Sequence, residues 1–151
     1  MKRHNSFVPL SREHHESLLL AVRLQQGRSA LLRLWSHDPY WQAQFVVKYF
    51  DDELAVHFGE EETIVFPAVR TFLTDITIIE RLKDDHTEMR EMVDFLRDPL
   101  EKKLDCTLTR FGQLLESHIR MEEREFFPMC EGVVPQEILH DIGRKLAPTH
   151  S

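Results

Sequence analysis

Four stretches of this 151-residue chain repeat their apolar residues every three or four positions, and none shows the alternation of a strand. That period restricts the chain to helices that each bury one stripe. The first runs from about Pro9 or Ser11 to Leu34, with Leu10, Leu18, Ala21, Leu24 and Leu31 in line. "SHDPYW" breaks it, because Pro39 restrains Asp38 away from helix. The second runs from about Tyr40 to Phe66, with Phe50, Leu54, His57 and Glu61 on one stripe. Pro67 has no amide hydrogen, so this helix is expected to end or kink there. The third covers about Asp75 to Arg97, aligning Ile79, Leu82, His86, Met89, Val93 and Leu96 before Pro99. The fourth spans about Leu100 to Phe127, with Leu104, Leu108, Phe111, Leu115, His118 and Glu122 in register. Beyond Pro128, "VVPQEILHDIGRKLA" could add a short fifth helix.

Helices of about 23 to 28 residues are about 35 to 42 Å long at 1.5 Å per residue. Joined by short breaks, they predict an all-α, antiparallel up-down-up-down four-helix bundle. A chain of this length with 42% apolar residues is one domain's worth. The expected layout is a single domain over residues 1–151, with a bundle core at about 9–128 and a tail at 129–151.

The formal net charge of −7 argues against nucleic acid or an anionic membrane as a partner, since both select a basic face. No apolar run approaches the roughly 18 residues that cross a bilayer. Cys106 and Cys130 lie far apart and in no C-x-x-C frame, and the opening "MKRHNSFVPLSREHHE" has no apolar run resembling a secretory segment. A cytoplasmic location is therefore expected.

Within the helices one frame occurs twice. "HFGEEETIVFP" at residues 57–67 and "HIRMEEREFFP" at 118–128 share H-x-x-x-E-E-x-x-x-F-P, which suggests that the second helix pair reprises the first. Positions i and i+4 of a helix share a face, so His57 points with Glu61 and His118 with Glu122, each pair on an apolar stripe. His86 lies on the stripe of the third helix, and "EHHE" offers His14 or His15 on the first. Both His57 and His118 stand ten residues before the Pro that closes their frame, while His86 lies about eleven residues into the third helix and His14 near the start of the first. In an up-down-up-down bundle those levels coincide, and four imidazoles with two carboxylates converge on one layer. Left without partners, such a buried layer costs on the order of several kcal/mol per charge. A pair of metal ions satisfies it, with two imidazoles to each ion and Glu61 and Glu122 bridging. An oxo or hydroxo bridge and an exogenous ligand would complete the coordination. Mixed imidazole and carboxylate donors suit iron or manganese, with zinc as an alternative.

The order H, H-x-x-x-E, H, H-x-x-x-E over four helices, with F-P closing the second and fourth, resembles the hemerythrin-like (HHE cation-binding) family, four-helix bundles that hold a non-haem di-iron centre. The resemblance covers about Pro9 to Pro128. It implies that His14, His57, His86 and His118 supply imidazoles to two irons and that Glu61 and Glu122 supply bridging carboxylates. Two positions depart from the oxygen-carrying members, whose third helix bears H-x-x-x-H and whose fourth bears H-x-x-x-x-D. Here Arg90 follows His86 and Glu122 follows His118, so a fifth imidazole is missing. That pattern is closer to hemerythrin-like proteins tied to oxygen, nitric oxide or iron stress. Members implicated in iron–sulfur cluster repair carry an additional N-terminal cysteine-bearing domain, which is not read in this sequence.

His14 is favoured over His15 because it lines up with Leu10, Leu18, Ala21 and Leu24, whereas the stripe through His15 runs into Gln25, Gln26 and Ser29. His4, His37, His140 and His150 read as surface residues. Glu60, Glu62, Glu123 and Glu125 read as solvated charge, although a carboxylate beside a ligand can also orient one. The expected function is a protein that binds or senses oxygen, nitric oxide or iron, in oxidative or nitrosative stress or iron homeostasis. A di-iron oxidoreductase or an iron donor for cluster repair is the alternative, and a metal-free interaction bundle the third reading. No residues compose an organic-substrate site, which favours binding over catalysis.

Overall fold

Helix starts are written in short polar signals. The computed structural model describes residues 2–25, 35–99 and 103–150. After a tight turn at Asn5–Phe7, helix α1 runs over Val8–Leu24, with Pro9 in the first turn where a missing N–H costs nothing. Asp38 caps helix α2, residues 39–72, by accepting the Tyr40 N–H at 3.1 Å, and Pro39 follows it. Asp75 accepts the Thr77 N–H ahead of helix α3, Thr77–Arg97. Helix α4 covers residues 104–133, and Pro135 precedes helix α5, Gln136–Leu146.

Side-chain pairs fix the helix directions. Arg3 reaches Glu131, His14 reaches Glu123 and Gln25 reaches Glu116, so numbers fall along α4 as they rise along α1. The same reversal links α2 to α3 through Asp51 with Arg97, Glu62 with Arg90 and Arg70 with Glu80. Ser17 with Tyr49 and Glu13 with His57 set α1 against α2, and Glu88 with Arg110 and Asp85 with His118 set α3 against α4. The protein is an all-α up-down-up-down bundle with a fifth helix, as the periodicity predicts.

Two expectations change. The first helix stops at Leu24 and not at Leu34, because Gln25 turns extended at ψ 112° and its side chain ties back to the Ala21 carbonyl and across to Glu116. Leu31 and the remainder to Leu34 lie outside the described residues. Nor do Pro67 and Pro128 end their helices. Immediately before each, one turn closes on the fifth residue back: Phe66 N–H donates to the Glu61 carbonyl and Phe127 N–H to the Glu122 carbonyl. A proline ring collides with the carbonyl four residues back in an ordinary turn, and a turn wider by one residue leaves it room. The widening also keeps Glu61 with Phe66, and Glu122 with Phe127, on the buried side.

The core divides into two apolar clusters. One packs Leu20, Leu24, Phe50, Phe58, Val93, Phe111 and Leu115. The other packs Phe7, Leu10, Val65, Leu82, Phe126 and Phe127, and α5 closes its end with Leu139, Ile142 and Leu146, all fully buried. Along α1 to α4, residues 14, 61, 86 and 122 lie between the clusters, and His57 and His118 stand at the edge of the first.

The tightest approach is between α1 and α4 at Gly112, where an added Cβ would meet the Ala21 carbonyl oxygen at 2.6 Å and Leu24 Cβ at 2.9 Å. Gly112→Ala should therefore destabilise the protein by about 1–3 kcal/mol despite its better helix propensity. At Gly59 the added Cβ meets nothing within 4 Å. Gly59→Ala should be neutral or stabilising by up to about 1 kcal/mol, and urea melts of the two variants read the difference.

Candidate metal centre

The repeated H-x-x-x-E spacing does what helix geometry requires of it. His57 and Glu61 leave one face of α2, and His118 and Glu122 one face of α4. His14 and His86 enter from α1 and α3. All six side chains are buried, with Glu61, His86 and Glu122 at 0% exposure. His15, the alternative on α1, is exposed. Arg90 stands to one side, its guanidinium bidentate on Glu62 at 2.7 and 3.2 Å.

The imidazoles meet in two pairs. Nε2 of His14 lies 3.2 Å from Nε2 of His57, and Nε2 of His86 lies 3.2 Å from Nε2 of His118. Carboxylate oxygens stand between the pairs. Glu122 is 3.1 Å from His14 Nε2 and 2.7 Å from His118 Nε2, and Glu61 is 3.2 Å from His86 Nε2 and 3.6 Å from His57 Nε2. Two four-donor groups result, His14–His57–Glu61–Glu122 and Glu61–His86–His118–Glu122, each with donor atoms within 4.8 Å of one another. Both glutamates belong to both groups. None of their four oxygens meets a donor in hydrogen-bond geometry, although all are buried and three stand 2.7–3.6 Å from an imidazole nitrogen. Orphaned buried carboxylate oxygens facing inward imidazole nitrogens are what a pair of cations would satisfy.

The hemerythrin HHE cation binding domain matches residues 7–130. The chain belongs to that family. No curated protein matches the chain, and no solved structure does. The hemerythrin family and the buried histidine–glutamate groups together fit metal-ion binding.

Around this hemerythrin centre runs a second ring that sequence reading found only in part. Each imidazole donates its outer Nδ1–H to a carboxylate: His14 to Glu123 at 2.7 Å, His57 to Glu13 at 3.0 Å, His86 to Glu62 at 3.1 Å and His118 to Asp85 at 3.0 Å. This fixes the tautomer that leaves Nε2 free to face inward. Every acceptor neighbours a centre residue in sequence yet serves the next helix. Glu13 beside His14 serves α2, Glu62 beside Glu61 serves α3, Asp85 beside His86 serves α4, and Glu123 beside Glu122 returns to α1. The sequence favours solvated charge for Glu62 and Glu123, with orientation of a ligand as the alternative that the structure bears out, and it does not single out Glu13 and Asp85. The available signal was the doublets E-H, E-E, D-H and E-E. Glu60 also differs from expectation, being buried and bonded to Thr149 and His150, while Glu125 is exposed as read. His150 and His4 are half-buried, and His37 and His140 are exposed.

Aromatic rings seal the layer. Phe58 stacks on His86 with centroids 3.9 Å apart and meets His118 edge-on at 5.7 Å, and Phe127 stacks over His14 at 5.9 Å.

Electrostatics show how the six groups balance without an ion. Burial lowers the pKa of His14, but Glu122 and Glu123 outweigh it and raise it to about 9. His118 is also raised, since Glu122 and Asp85 overcome its burial. Burial and the positive charge of His118 lower His86 to about 3. Burial lifts Glu61 well above the usual carboxylate range, and the charge of Glu122 adds to it. Burial pushes Glu122 the same way, yet His118 and then His14 hold it well below that range. At neutral pH the raised His14 is therefore the imidazole that carries a proton against Glu122 and Glu123.

Because metal needs unprotonated Nε2 atoms, zinc loading at pH 7 should release a proton from His14, whose pKa is raised to about 9. Indicator-dye titration in weak buffer reads this, and uptake with no release would refute a protonated His14. The sign for stability follows from His14. Its raised pKa stabilises the metal-free fold fully below 6.5, and that contribution is lost as pH rises through about 9. Melting of the metal-free protein should therefore fall over that interval, whereas the zinc-loaded protein, with no proton there to lose, should show no such decline.

Proposed function

We propose that this hemerythrin-domain chain holds two iron ions and binds or senses a small ligand, oxygen or nitric oxide, or iron itself. The observation that carries the reading is the sharing of both buried glutamates by two four-donor groups. His14 and His57 would hold one ion, His86 and His118 the other, and Glu61 and Glu122 would bridge. Iron bound there supplies electron transfer and affinity for small ligands. Mixed imidazole and carboxylate donors also admit manganese or zinc.

The protein's own residues set the conditions. Glu123, Glu13, Glu62 and Asp85 orient the imidazoles, and Phe58, Phe66 and Phe127 keep water from the layer. A cavity that reaches His57 has a volume of about 30 Å³ and is lined by Glu13, Tyr49 and Leu54 among others. That is room for a molecule the size of water. It suits a diatomic ligand or an ion and argues against an oxidoreductase that houses an organic substrate there. A metal-free interaction bundle is disfavoured by the orphaned glutamate oxygens. The two cysteines, one exposed and one buried, are both free thiols, which suits a reducing compartment such as the cytoplasm.

Anaerobic ferrous loading followed by metal analysis should give close to two irons per chain. Glu61→Ala and Glu122→Ala should each lower that content, and Glu125→Ala, at an exposed site, should not. Oxygen and nitric oxide, each added to the ferrous protein, should change its optical spectrum. A reproducible single zinc per chain with no iron uptake would sink the di-iron reading.

A further inference from the structure

The carboxylates behind the imidazoles are not backed alike. Glu123 pairs with Arg3 at 3.1 Å and Glu62 with Arg90 at 2.7 Å, so a guanidinium balances each. Glu13, which holds His57, pairs with no arginine or lysine among the described residues. Its neighbour is instead a second carboxylate, the buried Glu60, together with His150. The turn Ala147–Thr149 after α5 delivers His150 across α1 and α2, and Thr149 Oγ1–H donates to Glu60 Oε2 at 2.6 Å.

We infer that Glu13, Glu60 and His150 form a third cation site, outside the dinuclear centre, which takes a divalent transition metal such as ferrous iron and loads the centre. The inference rests on reading the centre as a dinuclear metal site. Three points support it. First, the donors are correctly spaced. His150 Nε2 lies 3.1 Å from Glu60 Oε2 and 3.8 Å from Glu13 Oε1. Two donors on one ion at about 2.1 Å stand about 3.0 Å apart at right angles and about 3.4 Å apart in a tetrahedron, so small shifts suffice. Second, the donor set of two carboxylates and one imidazole is of the same type as that of the centre.

Third, the site stands on an acidic path. The small cavity at His57 is lined by Glu13, Glu16, Glu53 and Tyr49, and Glu16 and Glu53 are exposed. No arginine or lysine pairs with either of them among the described residues. An ion drawn to Glu16 and Glu53 meets Glu13 next, and Glu13 is itself bonded to the ligand His57 at 3.0 Å. Negative charge without a fixed counter-charge, leading inward to an imidazole, attracts cations along that line.

The test is a count on the untagged full chain. Titrated with Mn²⁺ without oxygen, with free ion read by electron paramagnetic resonance, the wild-type chain should bind two ions tightly and a third more weakly. His150→Ala and Glu60→Gln should each lose the third and keep the two. The substitutions lie on different elements, so if melting shows one variant unfolded the other decides. At limiting Co²⁺, filling of the centre, followed by visible absorption, should slow several-fold in both. A wild-type count of two, or three ions retained by the folded variants, overturns the outer site and leaves the reading of the centre standing. A wild-type count below two overturns both. An unchanged filling rate in the folded variants overturns the loading role.

Discussion

Four imidazoles and two carboxylates share one layer between two apolar clusters, and an ion kept there without compensation costs on the order of several kcal/mol. Much of the surrounding structure answers that cost. The outer carboxylates take the Nδ1 protons, so no imidazole spends its inward nitrogen on a hydrogen bond to the protein's periphery. Arg3 and Arg90 balance two of those carboxylates in turn. The aromatic rings keep the interior dry, which strengthens each of these interactions and raises the penalty for leaving any of them out.

The backbone answers the same demand. Glu61 and Glu122 each open a wide turn, and each frame ends in Phe-Pro. One helix face thereby delivers a buried carboxylate and a wall of the apolar cluster, and the helix continues through the proline. The frame H-x-x-x-E-E-x-x-x-F-P is thus a compact set of instructions. The histidine and first glutamate face inward, the second glutamate, Glu62 or Glu123, holds an imidazole of another helix, and the phenylalanine returns the helix to the core.

Helix number, order and stripes were legible in the sequence because burial enforces a three-and-four period over many residues, as in Leu104, Leu108, Phe111 and Leu115. The six inward residues were legible for the same reason, since each lies on an apolar stripe where a polar group must be explained. Less was legible where the cause lies across the fold. Gln25 ends α1 through Glu116, ninety-one residues away. Glu13 and Asp85 serve helices other than their own, and nothing in their local spacing names the recipient. Glu60 looks solvated by its place beside Glu61, yet the last turn of the chain folds over it. Pro67 and Pro128 do not stop their helices, because a local rule about lost N–H groups does not anticipate a wider turn ahead of them.

The ring of outer carboxylates passes from α1 to α2, to α3, to α4 and back to α1. Each helix pair contains one of these contacts complete and half of two others. Two copies of a single pair, related by a twofold axis, would complete the same circuit, with Glu62 of one copy holding the first-helix imidazole of the other. The centre is therefore symmetric in its logic although it is built from one chain: the loop between the second and third helices is a covalent substitute for self-association.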